Sequence, residues 1–319
     1  MVANARLRRV RAKSEKRHSS IALVSGITVF LVLDILLVGL ALTQDDVSDS
    51  AHTPGPIPTF GSEPEAAPSP TPALVVEVAE SVIPAPRYLV VASPTTAWRG
   101  TVGECGSTAA RVEATSDGGL SWQDATPPGL RQILGMTTSD TSTVRVLGRT
   151  GDTCSLEALA SFTGGEFWES YPESIADFAA LDPTDRSVVH TVSGVVPSPC
   201  SAASQVNGRN NLVAVVCGGE FFESSNSPDA WLRTPVQNIL AMAPTEAGYT
   251  LAVFGGADCA GVSIQTLPSP IGTEAPTVIG CLVDEVSADG ATIAQSGSEV
   301  WLWNADRLRK SSDGGGTWN

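Results

Sequence analysis

The side chains that could carry chemistry in this chain are few, and their spacing argues against most reactions. His190 is the only histidine after residue 52, so a Ser-His-Asp relay would have to be built on it. It stands in the Val-rich run Ser187-Val188-Val189-His190-Thr191-Val192, where a satisfied or edge imidazole is expected and not a base. No G-x-S-x-G elbow, P-loop or G-x-G-x-x-G is present. Asp117 and Asp313 lack the D-x-D-x-D-G spacing of a calcium loop, and turn capping accounts for both. Six cysteines, Cys105, Cys154, Cys200, Cys217, Cys259 and Cys281, include no CxxC pair, so zinc is not expected. Trp98, Trp301 and Trp303 could form an aromatic platform. Alternation along a strand puts Trp301 and Trp303 on one face, where at least one is expected in the core. Paired carboxylates leave little trace in spacing, so glycoside hydrolysis stays open on residue type alone. No catalytic residue, metal or cofactor is assigned.

The elements that would position these side chains are announced by a repeated turn. Thr115-Ser116-Asp117-Gly118-Gly119-Leu120-Ser121-Trp122 and Ser311-Ser312-Asp313-Gly314-Gly315-Gly316-Thr317-Trp318 share the pattern hydroxyl-x-Asp-x-Gly-x-hydroxyl-Trp. In a tight hairpin the carboxylate of Asp117 or Asp313 accepts from turn amides. Gly119 or Gly315 supplies a positive φ. Thr115 and Ser121, or Ser311 and Thr317, tie the ends, and Trp122 or Trp318 enters the apolar layer.

The pattern resembles the Asp-box of the BNR-repeat propellers, which include sialidases, sortilin-type receptors and photosystem II assembly factors. Decayed copies extend it. Ser161-Phe162-Thr163-Gly164-Gly165-Glu166-Phe167-Trp168 keeps the first hydroxyl, the glycine and the tryptophan. Ser224-Ser225-Asn226-Ser227-Pro228-Asp229-Ala230-Trp231 keeps serine, tryptophan and an Asn in the Asp place. The four tryptophans are 46, 63 and 87 residues apart. The widest gap predicts an eroded copy near 268–276. A period of roughly 40–50 residues is that of propeller blades with four strands each.

The resemblance implies a folding device and invites a sialidase reading. That chemistry needs an arginine triad, a Tyr–Glu nucleophile pair, an Asp acid/base and an aromatic-Arg-Ile-Pro start. Ala85-Pro86-Arg87-Tyr88 is not that start, and Tyr88, Tyr171 and Tyr249 are the only phenols. The resemblance to photosystem II assembly factors suggests help to a membrane complex, on fold alone.

Charge divides the chain. Residues 1–20 carry seven basic side chains, whereas everything after residue 42 holds 12 Arg and Lys against 32 Asp and Glu. Phosphate contacts need a basic face, so the acidic part is not expected to bind nucleic acid. Residues 21–42 form an apolar run about 33 Å long as a helix, enough to span a bilayer. Asp34 interrupts it at a cost of about 2.5–3.5 kcal/mol, which the fifteen Leu, Ile, Val and Phe residues outweigh. The basic tail predicts a cytoplasmic N-terminus. The run exceeds the apolar core of a signal peptide, which favours an uncleaved anchor, although Gly39-Leu40-Ala41 offers a signal peptidase small residues. Seven prolines within 43–72 mark a linker that is partly polyproline II. The even cysteine number fits an oxidising compartment.

From residue 73 short Val-rich runs alternate with turn residues, predicting an all-β domain over 73–319. Phased on the boxes, these runs predict a single propeller of five blades with an insertion around 195–210. Residues 73–80 are expected to close the ring beside 305–312, covering an open strand edge. Repeat phase pairs Cys105 with Cys154 across neighbouring blades. Proximity pairs Cys200 with Cys217 and Cys259 with Cys281, out of fifteen possible connectivities. The reading is a membrane-anchored, extracytoplasmic propeller that binds a protein or glycan partner. The alternative is a surface glycosidase or a polysaccharide-binding protein.

Overall fold

The structure is a computed structural model describing residues 87–319, except 210–211, 226–229, 257, 273–274, 285 and 287–289. The tail, the apolar run at 21–42, the linker and the segment 73–80 lie outside the described residues. Among the described residues no helix is long and apolar enough to cross a membrane.

Six antiparallel sheets follow one another along the chain. The first is β1 (Arg87–Val91), β2 (Ala97–Thr101), β3 (Arg111–Thr115) and β4 (Gln123–Asp124). The second is β5 (Leu130–Thr138), β6 (Val144–Thr150), β7 (Ser155–Ser161) and β8 (Glu169–Ser170). A 3-10 helix, Pro172–Asp177, then leads to a three-stranded sheet of β9 (Ala180–Leu181), β10 (Val188–Thr191) and β11 (Gly194–Pro197). The fourth is β12 (Ala203–Arg209), β13 (Leu212–Cys217), β14 (Glu220–Ser225) and β15 (Trp231–Arg233). The fifth is β16 (Ile239–Pro244), β17 (Gly248–Phe254), β18 (Val262–Pro268) and β19 (Thr277–Leu282). The sixth is β20 (Thr292–Ser296), β21 (Glu299–Asn304) and β22 (Arg307–Ser311).

The first strands β1, β5, β9, β12, β16 and β20 each neighbour the next, and β20 returns to β1. A closed ring of six blades results. The buried apolar residues confirm the number, because they form six clusters and each lies on one seam. Trp98 and Val112 meet Ile133 and Val146 between blades one and two; Leu147 meets Phe178 between two and three. Val189 meets Val215, Phe221 meets Tyr249, and Ile264 meets Leu302 around the next three seams. Leu89 and Ala97 meet Trp301 and Trp303 at the last. Second strands are pressed between two neighbouring sheets, so β17 and β21 are buried over almost their whole length. That explains their continuous apolar runs.

Five blades is therefore corrected to six. The 63-residue gap from Trp168 to Trp231 contains a whole small blade, β9–β11, which carries no tryptophan turn. The expected insertion at 195–210 is most of β11 and all of β12. The expected eroded copy at 268–276 falls between β18 and β19, the third and fourth strands of blade five.

The turn motifs likewise follow the third strand in blades one, two and six. In the first, Thr115 Oγ1 donates to Asp117 Oδ1 at 2.8 Å and accepts from Gly119 N at 2.9 Å. Ser121 donates its amide and hydroxyl to the same carboxylate at 3.0 and 2.6 Å. Ser311, Asp313, Gly315 and Thr317 repeat these four bonds within 0.2 Å. In the decayed copy the Thr163 hydroxyl replaces the carboxylate and accepts from Phe167 N at 2.9 Å.

The motif glycine is required twice over. Gly119, Gly165 and Gly315 have φ of 85°, 105° and 103°. A Cβ on each would also lie 2.6–2.7 Å from Leu308, Ala125 and Ile264, all on the preceding blade. The motif tryptophans enter the same seams: Trp122, Trp168, Trp231 and Trp318 each pack against the cluster shared with the blade before. Blade five lacks the motif and is latched differently. Glu223 of blade four, about 1% exposed, accepts from Ser269 Oγ at 2.6 Å and Ile271 N at 2.7 Å.

The closing seam carries alternating cations and indoles. The Arg87 guanidinium lies 4.8 Å from the Trp303 ring, and Arg99 lies 5.2 Å from Trp303 and 4.3 Å from Trp122. Lys310 of blade six donates to Gly118 O at 2.6 Å. The ring thus closes side chain to side chain between blades six and one. Disulfides join Cys105 to Cys154 across blades one and two, the pair expected from repeat phase, and Cys200 to Cys217 and Cys259 to Cys281, the pairs expected from proximity.

Candidate functional site

Because the six first strands run side by side around an axis, alternate residues of each point inward and surround one cavity. It encloses about 400 Å³ and is lined from all six blades, including Tyr88, Gln132, Arg186, Gln205, Met242 and Gln295.

Several polar groups of the wall are committed to structure. Gln205 on β12 donates to Leu240 O at 3.0 Å and accepts from Met242 N at 2.9 Å, tying blade four to blade five. Tyr88 on β1 donates its hydroxyl to Leu134 O of β5 at 2.7 Å. Burial pushes the Tyr88 phenol well above its ordinary range, against a smaller opposing pull from Arg186. It stays neutral and is a donor, not a base.

The lining carboxylates are engaged too. Asp177, at the end of the 3-10 helix, faces Arg145 at 3.6 Å. Asp182 accepts from the Thr184 hydroxyl at 2.6 Å, the Thr184 amide at 2.8 Å and the Asp185 amide at 3.1 Å. The Thr184 hydroxyl bond is foremost in holding Asp182 far below the usual carboxylate range. Asp182 also meets His190 Nε2 at 3.2 Å. Asp185, next along the loop, accepts from Ser187.

Arg186 is the exception. Among the described residues its guanidinium makes one hydrogen bond, from Nη1 to Ala203 O at 3.2 Å, and has no carboxylate partner. Gln132 and Asn207 line the same cavity, with side chains that bond to no other described residue.

The residues singled out from sequence lie elsewhere. None of the turn-motif residues Thr115, Asp117, Gly119, Ser121, Trp122, Ser311, Asp313, Gly315, Thr317 or Trp318 lines the cavity. His190 is an exposed strand residue paired with Asp182. Trp98, Trp301 and Trp303 are buried in seams, so they offer no platform. Tyr171, just after β8, donates to Glu169 Oε2 at 3.0 Å, and neither residue of this phenol–carboxylate pair lines the cavity. Among the described residues no cluster of three or more His, Cys, Asp or Glu could hold a metal ion. Sequence reasoning missed Arg186, Asp182 and Gln205. The run Asp182-Pro183-Thr184-Asp185-Arg186 reads as a solvated turn unless the ring geometry is known.

No protein-family model matches the chain, and no curated protein is similar to it. Several solved structures are distantly similar to it. YCF48 bound to D1 peptide is 14% identical over 74% of this chain and 81% of that one, with a TM-score of 0.29. The GH74 xyloglucanase from Xanthomonas campestris is 14% identical over 72% of this chain and 37% of that one, with a TM-score of 0.27. A GH43B protein of a Bacteroides ovatus xyloglucan locus is 12% identical over 69% and 47%, with a TM-score of 0.37. Likenesses this distant transfer no site residue to this chain.

Proposed function

We propose that this chain is a docking propeller held outside the cytoplasm, binding a protein or glycan partner without chemistry of its own. In this reading residues 1–20 are a cytoplasmic tail, 21–42 a signal anchor and 43–72 a spacer. The tandem tryptophan turns act as Asp-boxes that fold the blades. The observation that carries the non-catalytic reading is the state of the cavity. Among the described residues its carboxylates are tied into turns and ion pairs, Asp182 holding the exposed His190 as well as its own turn, and its phenol is neutral. Three disulfides and an acidic surface fit an oxidising, extracytoplasmic setting.

The test uses the full chain in membranes. Extraction by carbonate, protease shaving of intact cells and the mature N-terminus together report the anchor and its orientation. The protein is expected to stay with the membrane, to lose its ring to external protease, and to keep residues 1–20. A panel of fluorogenic glycosides is expected to show no turnover. Turnover abolished by Asp177→Asn or Asp182→Asn would replace docking with hydrolysis.

A further inference from the structure

Within the docking reading, on which this step rests, the cavity itself has a chemical preference. We infer that it is a binding site for a small carboxylate with an apolar body, seated on Arg186. A guanidinium offers five N–H donors in a planar fork that matches a carboxylate with two parallel bonds. Arg186 uses one donor, on Ala203 O, and the neighbouring Asp182 and Asp185 carboxylates are occupied by their own turns. Asp177 and Asp182 line the same cavity, yet neither stands within ion-pair distance of Arg186, which is unusual in a chain whose part after residue 42 is strongly acidic. The charge makes no ion pair within the ring, and the seams between blades four and five and between blades one and two are tied by Gln205 and Tyr88 without it.

The rest of the wall defines the ligand. Gln132 and Asn207 have free amides to orient a second polar group. Leu134, Met242 and Ile293 supply an apolar surface. At about 400 Å³ the cavity is of small-molecule size. It is too small for a folded domain and suits either a free metabolite-sized acid or the carboxylate end of a peptide.

The experiment uses the full chain purified in detergent, with binding read by calorimetry and by the thermal midpoint. The probes are phenylacetate, hexanoate and short apolar peptides with free C-termini; each is paired with its amide. Carboxylates are expected to bind and the matched amides to bind at least about tenfold more weakly. Arg186→Met is expected to lose that preference while its own unliganded thermal midpoint stays near that of the parent. Arg186→Lys is expected to restore the preference in part. Binding confined to the peptides would identify a chain terminus as the source, and binding of the small acids a free metabolite. Equal binding of acid and amide, no binding of any probe, or full binding by Arg186→Met would each overturn the inference. A partner still captured by Arg186→Met would leave the docking reading standing, so the two can fail separately.

Discussion

Asp313 illustrates how the most conspicuous polar residues of the sequence are used. The Ser311 hydroxyl first, then the Thr317 amide and hydroxyl, lower its carboxyl to about 2. Asp117 is held down likewise, chiefly by the Ser121 hydroxyl and amide. An unfolded aspartate titrates near about 3.9. The folded value lies below the unfolded one, so the stabilisation is complete above about pH 4 and fades as pH falls towards 2. Thermal melts of the parent and Asp313→Asn are therefore expected to differ most at neutral pH and to converge near pH 2. A gap that persists unchanged at pH 2 would show that the charge is not what the turn uses. The glycines give a second test at this scale. Gly314 has φ of 77° and open space around it, whereas Gly315 has φ of 103° and Ile264 at 2.6 Å. Gly314→Ala is expected to cost about 1 kcal/mol, and Gly315→Ala about 2–4 kcal/mol, in urea denaturation. Both costs being equal would remove the packing argument.

At the scale of the element, blades one, two, five and six are each joined to the one before by the turn that follows the third strand. Blades one, two and six use the tryptophan motif, and that much was legible, because Asp, Gly and Trp have distinct jobs at fixed offsets. Blade five keeps the joint but changes its chemistry to Glu223, a residue from another blade that no local pattern could reveal. Glu223→Ala is expected to destabilise the chain by about 3 kcal/mol, by orphaning Ser269 and the Ile271 amide. Glu223→Gln, which keeps one acceptor oxygen, should fall between the parent and Glu223→Ala on the same chemical-denaturation axis. An unchanged midpoint for both would show the latch to be incidental. Blade three was illegible for a related reason. Its strands are two to four residues long, and its outer strand is replaced by the connection to blade four. With no tryptophan to mark it, the gap read as a loop. The cysteine pairs were legible because partners share a repeat phase or stand close in sequence.

For the whole molecule, symmetry decides where binding can occur. Folding information sits on the outer turns, and the axis is left to residues such as Arg186 and Gln132 that carry no motif. A binding site of this kind appears only once six strands are brought around one axis. The blade count followed from tryptophan spacing and came out one short, because blade three carries no tryptophan turn. Closure matters most, since the cavity exists only if β20 meets β1. There Ser296 Oγ donates to Ala92 O at 3.3 Å, between residues 204 apart in sequence. All six native cysteines are in disulfides, so introduced thiols are the sole reactive ones. The direct measurement is peptide mapping of Ala92→Cys/Ser296→Cys after treatment with a short bis-maleimide. An intramolecular link joining positions 92 and 296 in most molecules is the expected result. Two singly modified thiols, or links formed only between molecules, would contradict the closed six-bladed ring and the axial site with it.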